Sequence, residues 1–280
     1  MSNTITIANK YEIIELIGEG TFGKVFKGKN IRSNEEIAIK IQHKDIENVL
    51  KHEAKIYRYL KDIIGIPQIR NYGTTDSGFN YLILDLLGPS LFDKKIEPTK
   101  SLKYFISAIN IIEFIHDKGI IHRDIKPDNF LLTHSNFDNN KLYIIDFGLS
   151  KYYLTVDKKH IEERKDRKLI GTAKYSSLNV HNGIDASRRD DMESLCYSFI
   201  TIFGKELPWN NINIDDAENL QEIYQKIKES KEKSLEWLYD IPCEFLTILL
   251  YCRKLEFSEK PNYNYIRGLF ENLLIYYNHK

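Results

Sequence analysis

Four groups of residues combine types and spacings suited to chemistry on phosphate. Gly18, Gly20 and Gly23 in "LIGEGTFGKVFKG" match G-x-G-x-x-G. Two unrelated phosphate-binding arrangements share that pattern. In one, a strand, the glycines, a helix and an acidic residue about 20 positions on hold a dinucleotide. In the other, the glycines join two strands of a hairpin that covers a nucleotide; a purely structural Gly-rich hairpin is a third reading. Lys40 in "EEIAIKI" and Glu53 in "LKHEAKIYRY" form the second group, a cation and a carboxylate suited to pairing out of water. The third group is "IIHRDIKPDNFLL", with His122, Arg123, Asp124, Lys126 and Asn129. The fourth is "LYIIDFGLS", with Asp146, Phe147 and Gly148.

The elements around these residues choose among the readings. Before the glycines, Tyr11, Ile13 and, after a phase slip, Leu16 fit a strand. After them, Val25 and Phe26 sit in "KVFKGKN", bounded by Gly28 and Asn30, which predicts a second strand and hence a hairpin. Ile37, Ile39 and Ile41 then alternate with Ala38, Lys40 and Gln42, which predicts a third strand carrying Lys40. Glu35 and Glu36 lie near the dinucleotide spacing, but no helix intervenes, so that reading fails. Residues 45–61 predict a helix with Ile46, Val49, Leu50, Tyr57 and Leu60 on its apolar face. Glu53 lies on the same face, where a lone carboxylate costs several kcal/mol of desolvation, and Lys40 is the expected partner. Tyr81–Asp85 predicts a further strand, ended by Gly88-Pro89, and helical patterns dominate from residue 100 on. The stretch 101–118 predicts a buried helix with Ser101 as N-cap and Gly119 as its stop, to which no chemistry is assigned.

The glycines, Lys40, Glu53, H-R-D-x-x-x-x-N and D-F-G follow one another in the order of the protein-kinase signature, and the chain resembles that family. The resemblance implies an α+β, bilobal fold: a small β-rich N-lobe with one major helix (10–87) and a larger, mainly helical C-lobe (88–275), in a single domain over 1–280. It implies ATP and Mg²⁺ as cofactors. Phosphoryl transfer needs the phosphates, metal and hydroxyl held in line and charge neutralised. In that scheme Gly18, Gly20 and Gly23 cover the phosphates, with Thr21 and Phe22 at the loop tip. Lys40 holds the α- and β-phosphates and Glu53 positions Lys40, while Asp146 and Asn129 bind the metal ions. Asp124 orients the acceptor hydroxyl and takes its proton, and Lys126 neutralises the transferring group. Leu84 lines the adenine pocket with Ile17, Val25 and Ala38, and the Asp85–Leu87 backbone bonds the adenine edge. In kinases the K-P-D-N after the aspartate goes with Ser/Thr acceptors.

A narrower resemblance is carried by "LLGPSLFD", "HRDIKPDNFL", "DFGLSKYY", "GTAKYSSLN", "SRRDDMESL", "LPW" and "EFSEKPNYNYIRGLF". These are similar to the casein kinase 1 family, from about residue 10 to 275, with Ser177-Leu178-Asn179 where most kinases have A-P-E. That resemblance implies a monomer, active without activation-loop phosphorylation, that prefers acidic or phosphate-primed Ser/Thr substrates. Asp191 would bond the H-R-D backbone; read without the resemblance, "SRRDD" is a solvated helix start. Arg123, Lys151 and Lys168 match one anion site, and Lys174 stands where a second has arginine, so it attracts phosphate but cannot fork bidentately. The stretch after "LPW", "NNINIDDAENLQEIYQK", is acidic where the family is basic, which weakens the expectation of phosphate priming and of nuclear targeting. The chain stops soon after "GLFENLL", so control by a regulatory tail is not expected.

Bulk properties agree. With Lys plus Arg and Asp plus Glu at 40 each, nothing favours a nucleic-acid-coating or membrane-coating protein. Cys196, Cys243 and Cys252 form no C-x-x-C pair, which points away from zinc and disulfides and toward a reducing compartment. The longest apolar run, "FLTILLYC", is too short to span a bilayer. The expectation is a cytoplasmic protein, with the nucleus also open to it, binding neither nucleic acid nor membrane. The alternatives are an inert pseudokinase scaffold, disfavoured because Lys40, Asp124, Asn129 and Asp146 are all present, and a small-molecule kinase, disfavoured by the complete activation segment.

Overall fold

The computed structural model describes residues 5–20, 23–43, 49–92, 95–133, 141–212, 219–233 and 235–279. In chain order the first elements are β1 (Thr6–Ile7), β2 (Tyr11–Gly20), β3 (Gly23–Asn30), β4 (Glu36–His43), α1 (Val49–Tyr59), β5 (Ile69–Thr74) and β6 (Phe79–Asp85). Then come α2 (Pro98–Asp117), β7 (Ile120–Ile121), β8 (Phe130–Leu132), β9 (Leu142–Ile144) and β10 (Lys151–Tyr152). The last are α3 (Leu178–His181), α4 (Arg188–Ile202), α5 (Leu220–Glu232), α6 (Cys243–Lys254) and α7 (Tyr263–Asn278). The chain divides into two compact units, one of 1–89 with 131–148, the other of 90–130 with 149–280.

The first unit is built on an antiparallel sheet in the order β1-β2-β3-β4-β6-β5. Side chains alternate across a strand, so register sorts them by face. Ile37, Ile39, Tyr81 and Ile83 join Ile7 and Tyr11 in a buried cluster on one face, with Phe26 packed against it. Val25 pairs with Lys40, Ala38 with Leu84 and Gly18 with Val25, so these five residues share the opposite face. The phase slip in β2 is a real irregularity: its register with β3 shifts between Ile13 and Glu15 and again between Leu16 and Gly18. Leu16 and Ile17 are consequently half exposed rather than core. In α1, Leu50, Glu53, Ala54, Ile56 and Tyr57 are buried, a helical stripe with the carboxylate inside it. The predicted start of that helix, with Ile46, and the loop tip Thr21-Phe22 lie outside the described residues.

The second unit is helical. α2 packs against α7 and α4 against α6. Phe105 stands 4.7 Å from Phe199 and 4.3 Å from Phe270 between ring centroids, and Phe245 joins them 5.1 Å from Phe270. One expectation is corrected here. α2 begins at Pro98 after Glu97, and Ser101 is a buried residue inside the helix rather than its N-cap. Proline fixes the φ that a first helical position needs, and that signal outweighs the serine. Gly119, with φ of +78°, does follow the end of α2. α4 is buried from Arg188 to Ile200, so "SRRDD" is interior rather than solvated, and its charges must find partners there.

Candidate active site

In the first unit Lys40 is the centre. β4 carries it on the face opposite the Ile37–Ile39 core, where α1 brings Glu53 to it. Nζ lies 2.9 Å from Glu53 Oε2 and 2.9 Å from Asp146 Oδ1. Burial alone would depress the Lys40 ammonium, but the two carboxylates outweigh it and hold its pKa above the ordinary lysine value. Burial pushes Glu53 up to about 7, against the pull of Lys40. Asp146 has a left-handed backbone, φ +67°, and its N–H donates to the Tyr57 hydroxyl at 3.1 Å. Tyr57 also meets Phe147 edge-on, 5.1 Å between centroids, so α1 fixes both residues of the D-F pair.

The three glycines differ in what demands them. Gly23 has φ +127° and a Cβ there would collide with the Ile41 carbonyl, so the hairpin itself requires glycine. Among the described residues, a Cβ at Gly18 would meet nothing nearer than Val25 at 3.8 Å, and one at Gly20 nothing within 4 Å. A side chain would thus be tolerated by the fold at Gly18 and would meet open space at Gly20, so neither glycine is demanded by packing, and backbone left bare there suits phosphate oxygens. Val25, Ala38 and Leu84 share the Lys40 face of the sheet, whereas Ile17 sits half exposed at the irregularity in β2. The Asp85 N–H already donates to the Gln68 carbonyl at 3.2 Å, and its carboxylate holds Arg70 at 2.7 Å. Of the predicted Asp85–Leu87 backbone contacts, that one donor is taken.

The second unit brings Asp124, Lys126 and Asn129 together. Lys126 Nζ lies 3.1 Å from Asp124 Oδ2. Asn129 Nδ2 donates to the Asp124 carbonyl at 2.9 Å, which leaves its oxygen as the acceptor end of the side chain. Thr172, which the sequence reading did not single out, donates both its N–H and its hydroxyl to Asp124 Oδ1, at 2.9 and 2.7 Å. Lys126 reaches the same hydroxyl at 3.2 Å. Gly171, with φ +97° and the Arg123 carbonyl in the space of a Cβ, permits this approach.

The loop that presents Asp124 is held from below. Asp191 accepts the N–H of His122 at 2.6 Å and of Arg123 at 2.9 Å, as expected from the narrower resemblance. Arg123 has φ +67°, an unfavourable region for a residue with a side chain, and these bonds hold it there. His116 was not foreseen. Its Nε2 lies 2.9 Å from Asp191 and its Nδ1 2.6 Å from the Tyr263 hydroxyl. Burial lowers the His116 pKa, against the pull of Asp191. Burial would raise Asp191, but the bonds from His116 and His122 bring it below the ordinary value. The Asp191 carboxylate only accepts, so Nε2–H of His116 donates to it.

The family's model for a protein kinase domain matches residues 11–267. The chain belongs to the protein kinase family. Its β-rich first unit with one major helix and helical second unit have the α+β character expected of the family. Membership brings phosphotransfer, ATP and a divalent metal ion with it. The Asp146 carboxylate is an oxygen donor of the kind that suits a hard divalent cation, which characteristically takes few protein ligands beside substrate phosphates.

The candidate anion residues of the kinase are only partly brought together. Lys151 pairs with Asp185 at 3.2 Å, and Arg123 Nε donates to the Leu149 carbonyl at 2.6 Å. Arg167, not foreseen, joins Asp185 at 3.5 Å, whereas Lys168 is simply exposed. Lys174 Nζ lies 5.1 Å from the Tyr175 ring centroid. Burial lowers its pKa, against the pull of Asp128 and Glu206.

Proposed function

We propose that this kinase transfers phosphate from ATP–Mg²⁺ to Ser/Thr hydroxyls of protein substrates in the manner of casein kinase 1. The observation that carries the reading is the Asp124 carboxylate with Lys126 and the Thr172 hydroxyl on it. Asp124 would accept the hydroxyl proton as the oxygen attacks, and Lys126 would offset the charge moving onto the transferred group. Lys40, kept cationic and aimed by Glu53, would hold the nucleotide's phosphates. Asp146 would help to hold the metal ion, which would neutralise phosphate charge when bound. Lys126 within K-P-D-N and the complete "GTAKYSSLN" segment support Ser/Thr acceptors.

Two further features support the narrower family. Ser177 and Asn179 both donate to buried Asp190, at 2.6 and 3.1 Å, which ties "SLN" to "SRRDD". Lys151 and Arg167 on the single carboxylate of Asp185 leave a local excess of positive charge for acidic or phosphorylated side chains. The Lys40–Glu53 pair and the Thr172–Asp124 bonds stand formed in the unmodified chain, which supports activity without activation-loop phosphorylation. We take the protein to act as a cytoplasmic monomer.

Transfer from labelled ATP–Mg²⁺ to matched basic, acidic and phosphoserine-primed acidic peptides tests this, with Asp146→Asn protein as the blank. Transfer favouring the acidic peptides is expected. No transfer above the blank, to peptides or to casein, would leave an inert scaffold as the better reading.

A further inference from the structure

Lys231, near the end of α5, has no exposed surface, and none of the roles above uses it. Its Nζ donates to the carbonyls of Ala173 at 2.9 Å and Ser176 at 2.5 Å and stands 3.2 Å from His181 Nε2. The ring centroids of Tyr197 and Trp209 are each 5.0 Å from it. The Lys231 amino group is thus received by main-chain oxygens, the His181 ring and aromatic faces. Trp209 adds its own donor, Nε1 to the Lys174 carbonyl at 2.7 Å. The carbonyls of Ala173, Lys174 and Ser176 are therefore all taken by side chains from α5 and the "LPW" turn.

This stretch follows directly on Thr172, which is bonded to Asp124. A turn on the Thr172 carbonyl is its local main-chain support. A buried amine is a poor choice for stability alone, since an apolar side chain of similar length would fill the same cage without desolvating a polar group. What the amine supplies is N–H donors in fixed directions.

We infer that Lys231, with Trp209, is a positioning residue: it fixes the main chain of Ala173–Ser176 and thereby sets which substrate side chains are accepted beside the acceptor hydroxyl. The inference rests on the reading of Asp124 as the residue that meets that hydroxyl. Ala173 and Lys174 are half-buried, so part of this stretch is open to a bound peptide.

The test uses the full chain and acidic peptides that differ at one place: immediately before the acceptor, immediately after it, or three residues before it. At each place a small and a bulky side chain are compared by kcat/KM. Lys231→Met should change the small-to-bulky ratio at an adjoining position about tenfold, the scale of a buried hydrogen bond lost. The ratio at the distant position and the KM for ATP should hold. Trp209→Phe, which keeps a ring but removes the N–H, should move the same ratio in the same direction. If Lys231→Met does not fold, Trp209→Phe decides alone. A common loss on all peptides, or unchanged ratios, means a merely structural role and overturns the inference. Failure of wild-type protein to phosphorylate any peptide would instead sink the functional reading beneath it, and this inference with it.

Discussion

At Lys40 one ammonium answers two carboxylates, Glu53 and Asp146, each at 2.9 Å. Glu53 is almost wholly buried, at 1% side-chain exposure, so it depends on that ammonium more than Asp146 does at 27%. Lys40→Met should abolish transfer and also destabilise the fold, by about 3–5 kcal/mol if Glu53 is left ionised. The loss should depend on pH. Burial already lifts Glu53 to about 7, and without Lys40 that lift is unopposed. A carboxyl raised in the folded state favours folding at low pH and loses that contribution as pH rises through its folded value. The thermal midpoint of Lys40→Met, relative to wild type, should therefore fall further at pH 8 than at pH 6. An equal deficit at both would mean that Glu53 finds another partner. Lys40 and Glu53 were legible in the sequence because a strand period and a helix period each put one of them at a telling place. Thr172, His116, Arg167 and Lys231 were not, because their partners lie far along the chain and no local spacing announces them. The signal available for Thr172 was its place just after the glycine of "GTAKYSS".

Elements were read best where one periodicity ran unopposed. β4 alternates cleanly and is legible; α2 is legible too, but its start is not, because proline at the first helical position overrides the serine. α4 was the hardest case. A helix opening with Arg-Arg-Asp-Asp looks solvated by composition, yet tertiary bonds bury it. Asp190 is pushed up to about 6 by burial, despite the bonds from Ser177 and Ser187. Asp191 links α4 to α2 through His116, and His116 links onward to α7 through Tyr263. Three helices thereby fix the Asp124 loop at one carboxylate. Asp191→Asn keeps the shape but turns one acceptor oxygen into an N–H₂ group facing donors. Leaving such donors unsatisfied costs about 1–3 kcal/mol. A fall in kcat of about tenfold to a hundredfold is expected, with a lowered thermal midpoint and little change in the KM for ATP. Unchanged kcat would show that the loop holds its shape without α4. Ser177→Ala should cost about 1 kcal/mol in urea unfolding, since Ser177 caps α3 through the Val180 N–H and also bonds Asp190.

Over the whole chain the charges cancel, 40 against 40, so no net charge draws an acidic partner in from a distance. Any preference for acidic substrates must come from local excess, and Lys151 with Arg167 sets two cations beside the one carboxylate of Asp185. Local excess has a recognisable salt response. Between about 0.1 M and about 1 M salt the Debye length shrinks from about 10 Å to about 3 Å, which screens exposed charges while leaving buried pairs nearly intact. The KM for an acidic peptide should rise several-fold over that range, and the KM for a matched basic peptide should stay level or fall. Arg167, half exposed in its ion pair, should carry much of this response. Arg167→Gln should raise the acidic-peptide KM at low salt and flatten its dependence on salt, with the ATP KM unaffected. An acidic-peptide KM independent of salt, or a slope untouched by Arg167→Gln, would place the recognition elsewhere. Lys174 would then be the next residue to remove, since its ammonium is partly desolvated against Tyr175 and its electrostatics are screened less.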